Sequence, residues 1–433
     1  MYRTFKGGFH MHGHKDAASS PIRPITPPKS VSISLSQHIG KPAEPTVAVG
    51  DTVLRGQVIG RVENALGCPV HASVSGKVTA IENAVAANGQ AFGRIVIEND
   101  FQNTPDPSIA DLDKPLKELT AEDVVELVKQ AGISGMGGAG FPTYAKISSA
   151  LGKVDRLIVN CVECEPYITA NHRLLLENTE EFLGGVKILL KTFGLRTATI
   201  AIEDNKLDAA DAIADAAGDS GVVDICVLQT KYPQGDERQI IRVITGKEMP
   251  AGSLPSDVGC VVFNAETVRA VFNAVAHRLP LIERVVTVSG GCIKEPANLL
   301  VPIGTPYQDL LDFCGGPVCE IGEVINGGPM MGAAHWDLSM PVTKTTSALL
   351  FFPKKKKTVT EPACIRCGRC VEVCPMHLMP NYLASFAKAD DMESAERFGV
   401  KTCMECGTCA YVCPAKIQLV QYFRMAKAKL RKK

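Results

Sequence analysis

Apolar and polar positions change their period several times along the chain, and each change marks a segment. Val31-Ser-Ile-Ser-Leu alternates apolar with polar, the period of a half-buried strand. Val47-Ala-Val-Gly-Asp-Thr-Val-Leu-Arg-Gly-Gln-Val-Ile-Gly sets Gly-Asp and Arg-Gly turns between β-branched runs, so residues 31–100 are expected to be short strands and turns. Pro105, Pro107 and Pro115 among acids and amides predict a linker over 101–120. The period then lengthens. Thr120 is placed to cap a helix running to about Gln130, with Val124, Val125, Leu127 and Val128 as its apolar side and Gly132 at its end. Leu157–Asn160, Thr197–Ile202, a helix over about 207–217, Val222–Leu228, a strand ending at Phe263 and a helix to about Val275 form a β-α-β alternation. That alternation predicts a mostly parallel sheet. Short strands return at Val285–Val288, Asn298–Pro302 and Ala348–Phe352, with one helix near Pro306–Phe313. Beyond them Leu383, Phe386, Ala387, Ala395 and Phe398 predict helices.

The expected fold class is therefore multidomain α/β. Its segments are an arm over 1–30, a β domain over 31–100, a linker over 101–120 and an α/β domain over 121–280. A second sheet domain over 281–352, a helical module over 353–424 and a basic tail over 425–433 follow. The 433 residues fit several cores better than one. Lys+Arg and Asp+Glu are both 46, so net charge gives no case for nucleic acid. No apolar run reaches a membrane span, and the start has no apolar segment behind its charges, so no secretory signal is expected. His10, His12 and His14 alternate, which suits either a metal site or a flexible or packed arm; the arm is the expectation. Lys354–Lys357 is expected to be a solvated basic link.

Cysteine changes the picture most. Of 16 cysteines, eight are scattered with no disulfide framework apparent, which fits a reducing cytoplasm. The other eight repeat one spacing, C-x2-C-x2-C-x3-C-P. Cys364, Cys367, Cys370 and Cys374 precede Pro375, and Cys403, Cys406, Cys409 and Cys413 precede Pro414. Thiolates suit iron–sulfur clusters and zinc. Zinc knuckles need neither the third close cysteine nor the Cys-Pro ending, whereas bacterial ferredoxin runs have both. In two-cluster ferredoxins the fourth cysteine of each run ligates the other cluster. One [4Fe–4S] cluster is thus expected on Cys364, Cys367, Cys370 and Cys413, and a second on Cys403, Cys406, Cys409 and Cys374. That chemistry is electron transfer.

Gly135, Gly137 and Gly140 satisfy G-x-G-x-x-G, but a helix precedes them where a dinucleotide fingerprint needs a strand. Alone, the loop either brings backbone N–H groups to a phosphate or ring, with Lys146 nearby, or makes a tight turn before a helix. Gly137-Gly-Ala-Gly-Phe-Pro-Thr-Tyr-Ala-Lys and Val159-Asn-Cys-Val-Glu-Cys-Glu-Pro together resemble the FMN- and NADH-binding subunit of respiratory complex I. The resemblance implies a non-covalent FMN on Gly135, Gly137, Gly138 and Gly140, with Lys146 at the phosphate side. Asn160, Glu163 and Glu165 match an Asn-x-Asp-Glu-x-Glu-Pro stretch in which Val162 replaces a flavin-binding Asp. Tyr232-Pro-Gln-Gly-Asp-Glu, containing Gly235, Asp236 and Glu237, is similar to Tyr-x-x-Gly-Glu-Glu. Phe263-Asn-Ala-Glu-Thr is similar to Asn-Asn-x-Glu-Thr, which implies Asn264 and Thr267 beside the FMN phosphate. NADH or NAD would be the nucleotide substrate, positioned by Glu163, Glu165 and Glu237.

Cys68-Pro-Val-His-Ala-Ser-Val-Ser-Gly-Lys-Val and the strands before it resemble the barrel-sandwich fold of biotinyl and lipoyl carriers. The carriers' modified lysine would fall in Asn64-Ala-Leu-Gly, which has none, so a structural or docking module is implied. Val301-Pro-Ile-Gly-Thr resembles a soluble-ligand-binding β-grasp domain. With the Phe5-Lys-Gly-Gly start, the set is similar to the RnfC family, the peripheral component of the ion-pumping Rnf ferredoxin:NAD oxidoreductase. This implies a Rossmann-like flavin domain and docking on the cytoplasmic face of the inner membrane. It also implies membrane and iron–sulfur partner subunits, with ferredoxin as an indirect electron partner. Cobalamin reductases share the glycine loop and two clusters but begin near the flavin domain. A flavin-free electron-wiring scaffold is the third reading, raised by Val162 and Asp236.

Overall fold

β-Branched runs bounded by turns build the central sheet of the computed structural model, which describes residues 2–87, 89–112, 114–354 and 361–431. Lys355–Lys357 of the basic link and Lys432 and Lys433 of the tail lie outside the described residues. Strands Arg156–Asn160, Ala198–Glu203, Val223–Leu228 and Cys260–Asn264 are all parallel. In space the third strand lies beside the second, the second beside the first, and the first beside the fourth. The order therefore reverses between Arg156–Asn160 and Cys260–Asn264, whose last residues Asn160 and Asn264 are register partners. Crevices at the carboxyl ends of strands form at such reversals. Helices Ala121–Gln130, Thr143–Ala150, Thr179–Phe193, Leu207–Ala217 and Ala265–His277 accompany this sheet. Thr120 caps the first of these in a full capping box with Asp123, because each reaches the other's backbone N–H. Two helices not anticipated, Ala170–Glu177 and Thr179–Phe193, bury Leu174, Leu175, Phe182, Leu183 and Val186.

Residues 30–99 form two facing sheets. One comprises Ser30–Ser34, Ala91–Asn99, Gly76–Val85 and Thr52–Val53, and the other Glu44–Pro45, Val58–Arg61 and Val70–His71. Val31 and Ile33 point into the shared core, as their alternation predicts. The polar positions between them, Ser32 and Ser34, are buried as well. The reason is tertiary: the Ser32 N–H donates to the Gly304 carbonyl of the next sheet domain, 2.8 Å away.

That next sheet has six strands in the order Ile22–Pro24, Ala297–Pro302, Glu283–Ser289, Ala348–Pro353, Ile321–Asn326, Ala333–His335. Its edge strand Ile22–Pro24 belongs to the N-terminal arm, so sequence segments and spatial units do not coincide here. Expectation and structure also differ at Cys292 and Cys319, placed among scattered thiols. They are joined as a disulfide with Cα atoms 5.3 Å apart, because the loops carrying them pair through Ile293 and Pro317. Residues 361–431 contain helices and turns without a strand among the described residues. Helices Pro380–Lys388, Met392–Arg397 and Leu419–Arg431 close around Leu383, Ala395, Phe423 and Ala426. The basic stretch from residue 425 is the end of the last of these helices, up to Arg431.

Candidate cofactor sites

The glycine loop leaves the helix Ala121–Gln130 and crosses the carboxyl end of the sheet at its reversal. Three contacts fix it there. The Gly135 N–H donates to the Phe141 carbonyl at 2.9 Å. The Met136 N–H donates to the Thr267 hydroxyl at 3.0 Å. Gly137 sits against Asn264, so closely that a Cβ would come within 2.8 Å of that side chain. Gly137, Gly138 and Ala139 are exposed, and a Cβ on Gly138 would meet nothing within 4 Å. Asn264 caps the helix Ala265–His277, its side-chain oxygen accepting from the N–H of Glu266 at 3.0 Å. Asn264 and Thr267 thus seat the loop over a helix N-terminus, where backbone N–H groups and the helix dipole favour an anion.

Lys146 lies on the following helix, its ammonium 5.6 Å from the Phe263 ring centre and 2.9 Å from a Glu237 carboxylate oxygen. Glu237 opens a helix, Glu237–Thr245, whose N-cap is Asp236, accepting from Arg238 N–H at 3.0 Å. Burial pushes the Asp236 carboxyl up to about 6. Asn160 donates to the Gly235 carbonyl at 2.9 Å and accepts from Val162 N–H at 3.0 Å. The sheet thereby brings Gly135, Gly137, Gly138, Gly140, Lys146, Asn160, Gly235, Asp236, Glu237, Asn264 and Thr267 to one end. A loop with room at Gly138, a helix N-terminus and a lysine form a donor set that fits a phosphate-bearing cofactor such as FMN. Val162 instead faces inward, packed with Ile158, Leu228 and Ile240.

Glu163 and Glu165 also turn toward the chain. Glu163 is buried, one oxygen accepting from Asn171 N–H at 2.9 Å and the other without a partner. Glu165 accepts from the N–H groups of Met330 and Met331 at 3.1 and 3.0 Å. Burial outweighs those two bonds and the nearby Lys15 charge, and raises the Glu165 carboxyl to about 7.

The eight cysteines gather into two cavities. Cys364, Cys367, Cys370 and Cys413 line one, and Cys374, Cys403, Cys406 and Cys409 line the other, so the fourth cysteine of each run crosses over. The short helices Arg369–Glu372 and Thr408–Tyr411 pack together, which is what exchanges them. Among the described residues no three such side chains converge on a point that would hold one metal ion. Burial pushes the Cys406 thiol up to about 11, and Cys409 is raised by burial and by its neighbours Cys406, Cys403 and Cys374. Metal binding must therefore draw off those protons itself.

One wall joins the flavin end of the sheet to the second cavity. Tyr232, buried at 1% exposure, donates its hydroxyl to the Cys406 carbonyl at 2.7 Å. Gln239 donates to the Pro375 carbonyl at 3.3 Å, and Gly407 lies under Met330. Gln239 and Met330 were not singled out from the sequence. The Gly327-Gly-Pro-Met-Met turn was the available signal for the second. Of the histidines considered as ligands, His14 stacks on Tyr167 and lies tilted against His12.

Four family models match the chain. The RnfC barrel sandwich hybrid domain matches residues 3–102 and the Nuo51 FMN-binding domain 128–273. The SLBB domain matches 285–334 and the 4Fe-4S dicluster domain 356–427. The chain is 43% identical over 433 residues to the C subunit of the Na(+)-translocating ferredoxin:NAD(+) oxidoreductase complex of Acetobacterium woodii, covering 99% of this chain and 97% of that one. It is 43% identical over 435 residues to the C subunit of the proton-translocating ferredoxin:NAD(+) oxidoreductase complex of Clostridium ljungdahlii, covering 100% and 95%. It is 40% identical over 408 residues to the C subunit of the ion-translocating oxidoreductase complex of Vibrio cholerae, covering 92% of this chain and 52% of that longer one. A solved NAD+-reducing [NiFe]-hydrogenase chain shares the fold, with a TM-score of 0.51 at 19% identity over 73% of this chain and 64% of that one.

Proposed function

Because this chain belongs to the RnfC family, the C subunits of ion-translocating ferredoxin:NAD(+) oxidoreductase complexes, we propose that it moves electrons between NAD(H) and partner subunits through FMN and two [4Fe–4S] clusters. Bound here, FMN would exchange hydride with a nicotinamide and single electrons with the clusters. The chain's own part is positional. Gly135–Gly140, held by Asn264 and Thr267 over the helix N-terminus, cradle the cofactor phosphate, and Lys146 exchanges its partner Glu237 for that phosphate. Asn160 fixes the Gly235 turn. Glu163 and Glu165 shape the nucleotide side of the site by holding loops, while Glu237 faces it. Cys364, Cys367, Cys370 and Cys413 ligate one cluster, and Cys374, Cys403, Cys406 and Cys409 the other. The flavin sheet is read as a Rossmann-like half and the six-stranded sheet as a β-grasp variant. No helix among the described residues is long and apolar enough to cross a membrane. As a member of its family, the chain would dock on membrane and iron–sulfur subunits, at the cytoplasmic face.

The observation that carries this reading is the hydrogen bond from Tyr232, in the flavin-side motif, to the backbone of Cys406. It supports the reading by tying the flavin-side motif to a cysteine that lines the second cavity. The test is an anaerobic spectrum of the protein reconstituted with FMN, iron and sulfide, with and without NADH. Flavin and cluster absorption that both bleach on NADH are expected. Zinc in place of iron, or no retained flavin, would reject the assignment.

A further inference from the structure

The Phe5-Lys-Gly-Gly-Phe motif supplies no cofactor-holding residue to the sites described above, yet the arm around it runs between them. Their path is specific. The Gln229 N–H donates to the Arg3 carbonyl at 2.9 Å, beside the last residue of the edge strand Val223–Leu228. The Lys231 ammonium donates to the Phe5 carbonyl at 2.9 Å. Phe9 and Tyr232 exchange two backbone hydrogen bonds, both 3.0 Å. The Gly8 N–H, one residue earlier, donates to the Val373 carbonyl at 2.9 Å, beside the ligand Cys374. Phe9 then stacks on Tyr411 of the cluster module, ring centres 4.8 Å apart. Further along, the Lys15 ammonium donates to the carbonyls of Glu163, Glu165 and Ile168 at 2.8, 2.8 and 2.6 Å.

Both glycines are required by space and by backbone. Gly8 has φ +65°, and a Cβ would come within 2.5 Å of the Tyr232 carbonyl oxygen. Gly7 has φ +92°, and a Cβ would come within 2.9 Å of the Cys374 carbonyl oxygen. L side chains rarely adopt this region, and neither neighbour is a side chain that could swing away.

We propose that residues 3–15 are a strap that sets the distance between the flavin site and the second cysteine cavity, with Gly8 and Phe9 as its positioning residues. The strap holds the Tyr232 turn and the Cys374 loop in one register, and so holds the Tyr232–Cys406 contact. With both groups bound, this route would carry single electrons between flavin and cluster, with no bond made or broken. The proposal rests on the reading that FMN and two clusters occupy the sites assigned above.

The test uses the full chain, reconstituted anaerobically with FMN, iron and sulfide, as parent, Gly8→Val and Phe9→Ala. Backbone amide exchange at 229–232 and 373–375 should rise in the variants, while flavin and iron content and the rate of flavin bleaching by NADH stay at parental values. Cluster bleaching should slow by about tenfold or more, the scale on which ångström misplacements act. Parental cluster bleaching in a variant whose exchange shows a released strap overturns the proposal. So does unchanged exchange in both variants, because the strap would then not depend on these residues. If Gly8→Val fails to fold, Phe9→Ala decides, since it removes only the ring that stacks on Tyr411. A parent that retains no flavin or no iron refutes the underlying assignment instead.

Discussion

The two cysteine cavities share one spacing and differ in exposure: in one only Cys413 is buried, and in the other only Cys403 is not. Cys364 and Cys367 are exposed, as are Ile365, Arg366 and Arg369 beside them. Cys374, Cys406 and Cys409 are buried, and the backbone beside them is held by groups from elsewhere in the chain. Tyr232 and Gln239 come from the flavin domain, Met330 from the six-stranded sheet domain and Gly7 and Gly8 from the arm. A ligand motif therefore specifies what can be held, while the surrounding domains decide which site faces inward. The second set meets the flavin-side motif through Tyr232 and Cys406, while Cys364 and Cys367 of the first are exposed.

This contrast is broken most severely at the ligands. Cys406→Ala should remove the inner cluster and stop NADH from reducing the outer one. Cys367→Ala should remove only the outer cluster, leaving NADH-driven reduction of the inner one intact and abolishing exchange with partner subunits. Iron content with anaerobic electron paramagnetic resonance distinguishes the two. Equal loss of NADH-driven reduction in both variants would mean that the inward and outward labels are wrong. Lys146→Ala acts upstream of both cavities. It should lower FMN affinity by about tenfold, the effect of one charge-assisted contact, without changing iron content. Glu237→Gln should raise that affinity modestly, because it frees Lys146 of its present partner. Flavin fluorescence titration reads both, and an unchanged affinity in Lys146→Ala would move the phosphate site elsewhere.

The sequence made the motifs legible and left their surroundings unread. The cysteine spacing carried the exchange of Cys374 and Cys413 between cavities, because two-cluster ferredoxin runs cross their fourth cysteines. Alternation and capping carried the parallel sheet, since Thr120 and the valine-rich strands act locally. Tertiary arrangements gave no local signal. Ile22–Pro24 completes a sheet whose neighbouring strand begins at Ala297. Cys292 finds Cys319 only because two loops meet. The carboxylates of Glu163 and Glu165 match a nucleotide-site motif yet bond to the chain's own amides, a choice set by packing.

Tyr232→Phe sharpens the contrast at a single bond. It removes the donor to the Cys406 carbonyl and touches nothing in the open cavity. Unfolding free energy should fall by about 1–3 kcal/mol, the cost of leaving a buried acceptor unpaired. Transfer from flavin to the inner cluster should slow, with both clusters retained. Stopped-flow bleaching that matches the parent would show that this contact supports the fold without serving the route.

The smallest effect expected is a pH dependence confined to the cover of the inner cavity. Glu165 holds Met330 and Met331 through their N–H groups, and Met330 lies over Gly407, next to Cys406, a proposed ligand. No space separates the parts: a Cβ on Gly328 would come within 2.3 Å of the Glu165 carboxyl. Burial raises this carboxyl from its ordinary range to about 7 in the folded chain. An acid raised on folding is easier to protonate folded than unfolded. Its stabilising contribution is full below the unfolded value, about 4.3, and is lost as pH rises through about 7. Glu165→Gln keeps an acceptor for one amide and removes the ionisation. Its melting temperature should therefore approach and then exceed that of the parent as pH is raised from 5 to 8. Asp236, also raised by burial, adds a similar slope to both proteins and cancels in the difference. A constant gap between the two melting curves across that range would mean that Glu165 is already ionised when folded, and that the cover of the inner cavity does not respond to pH.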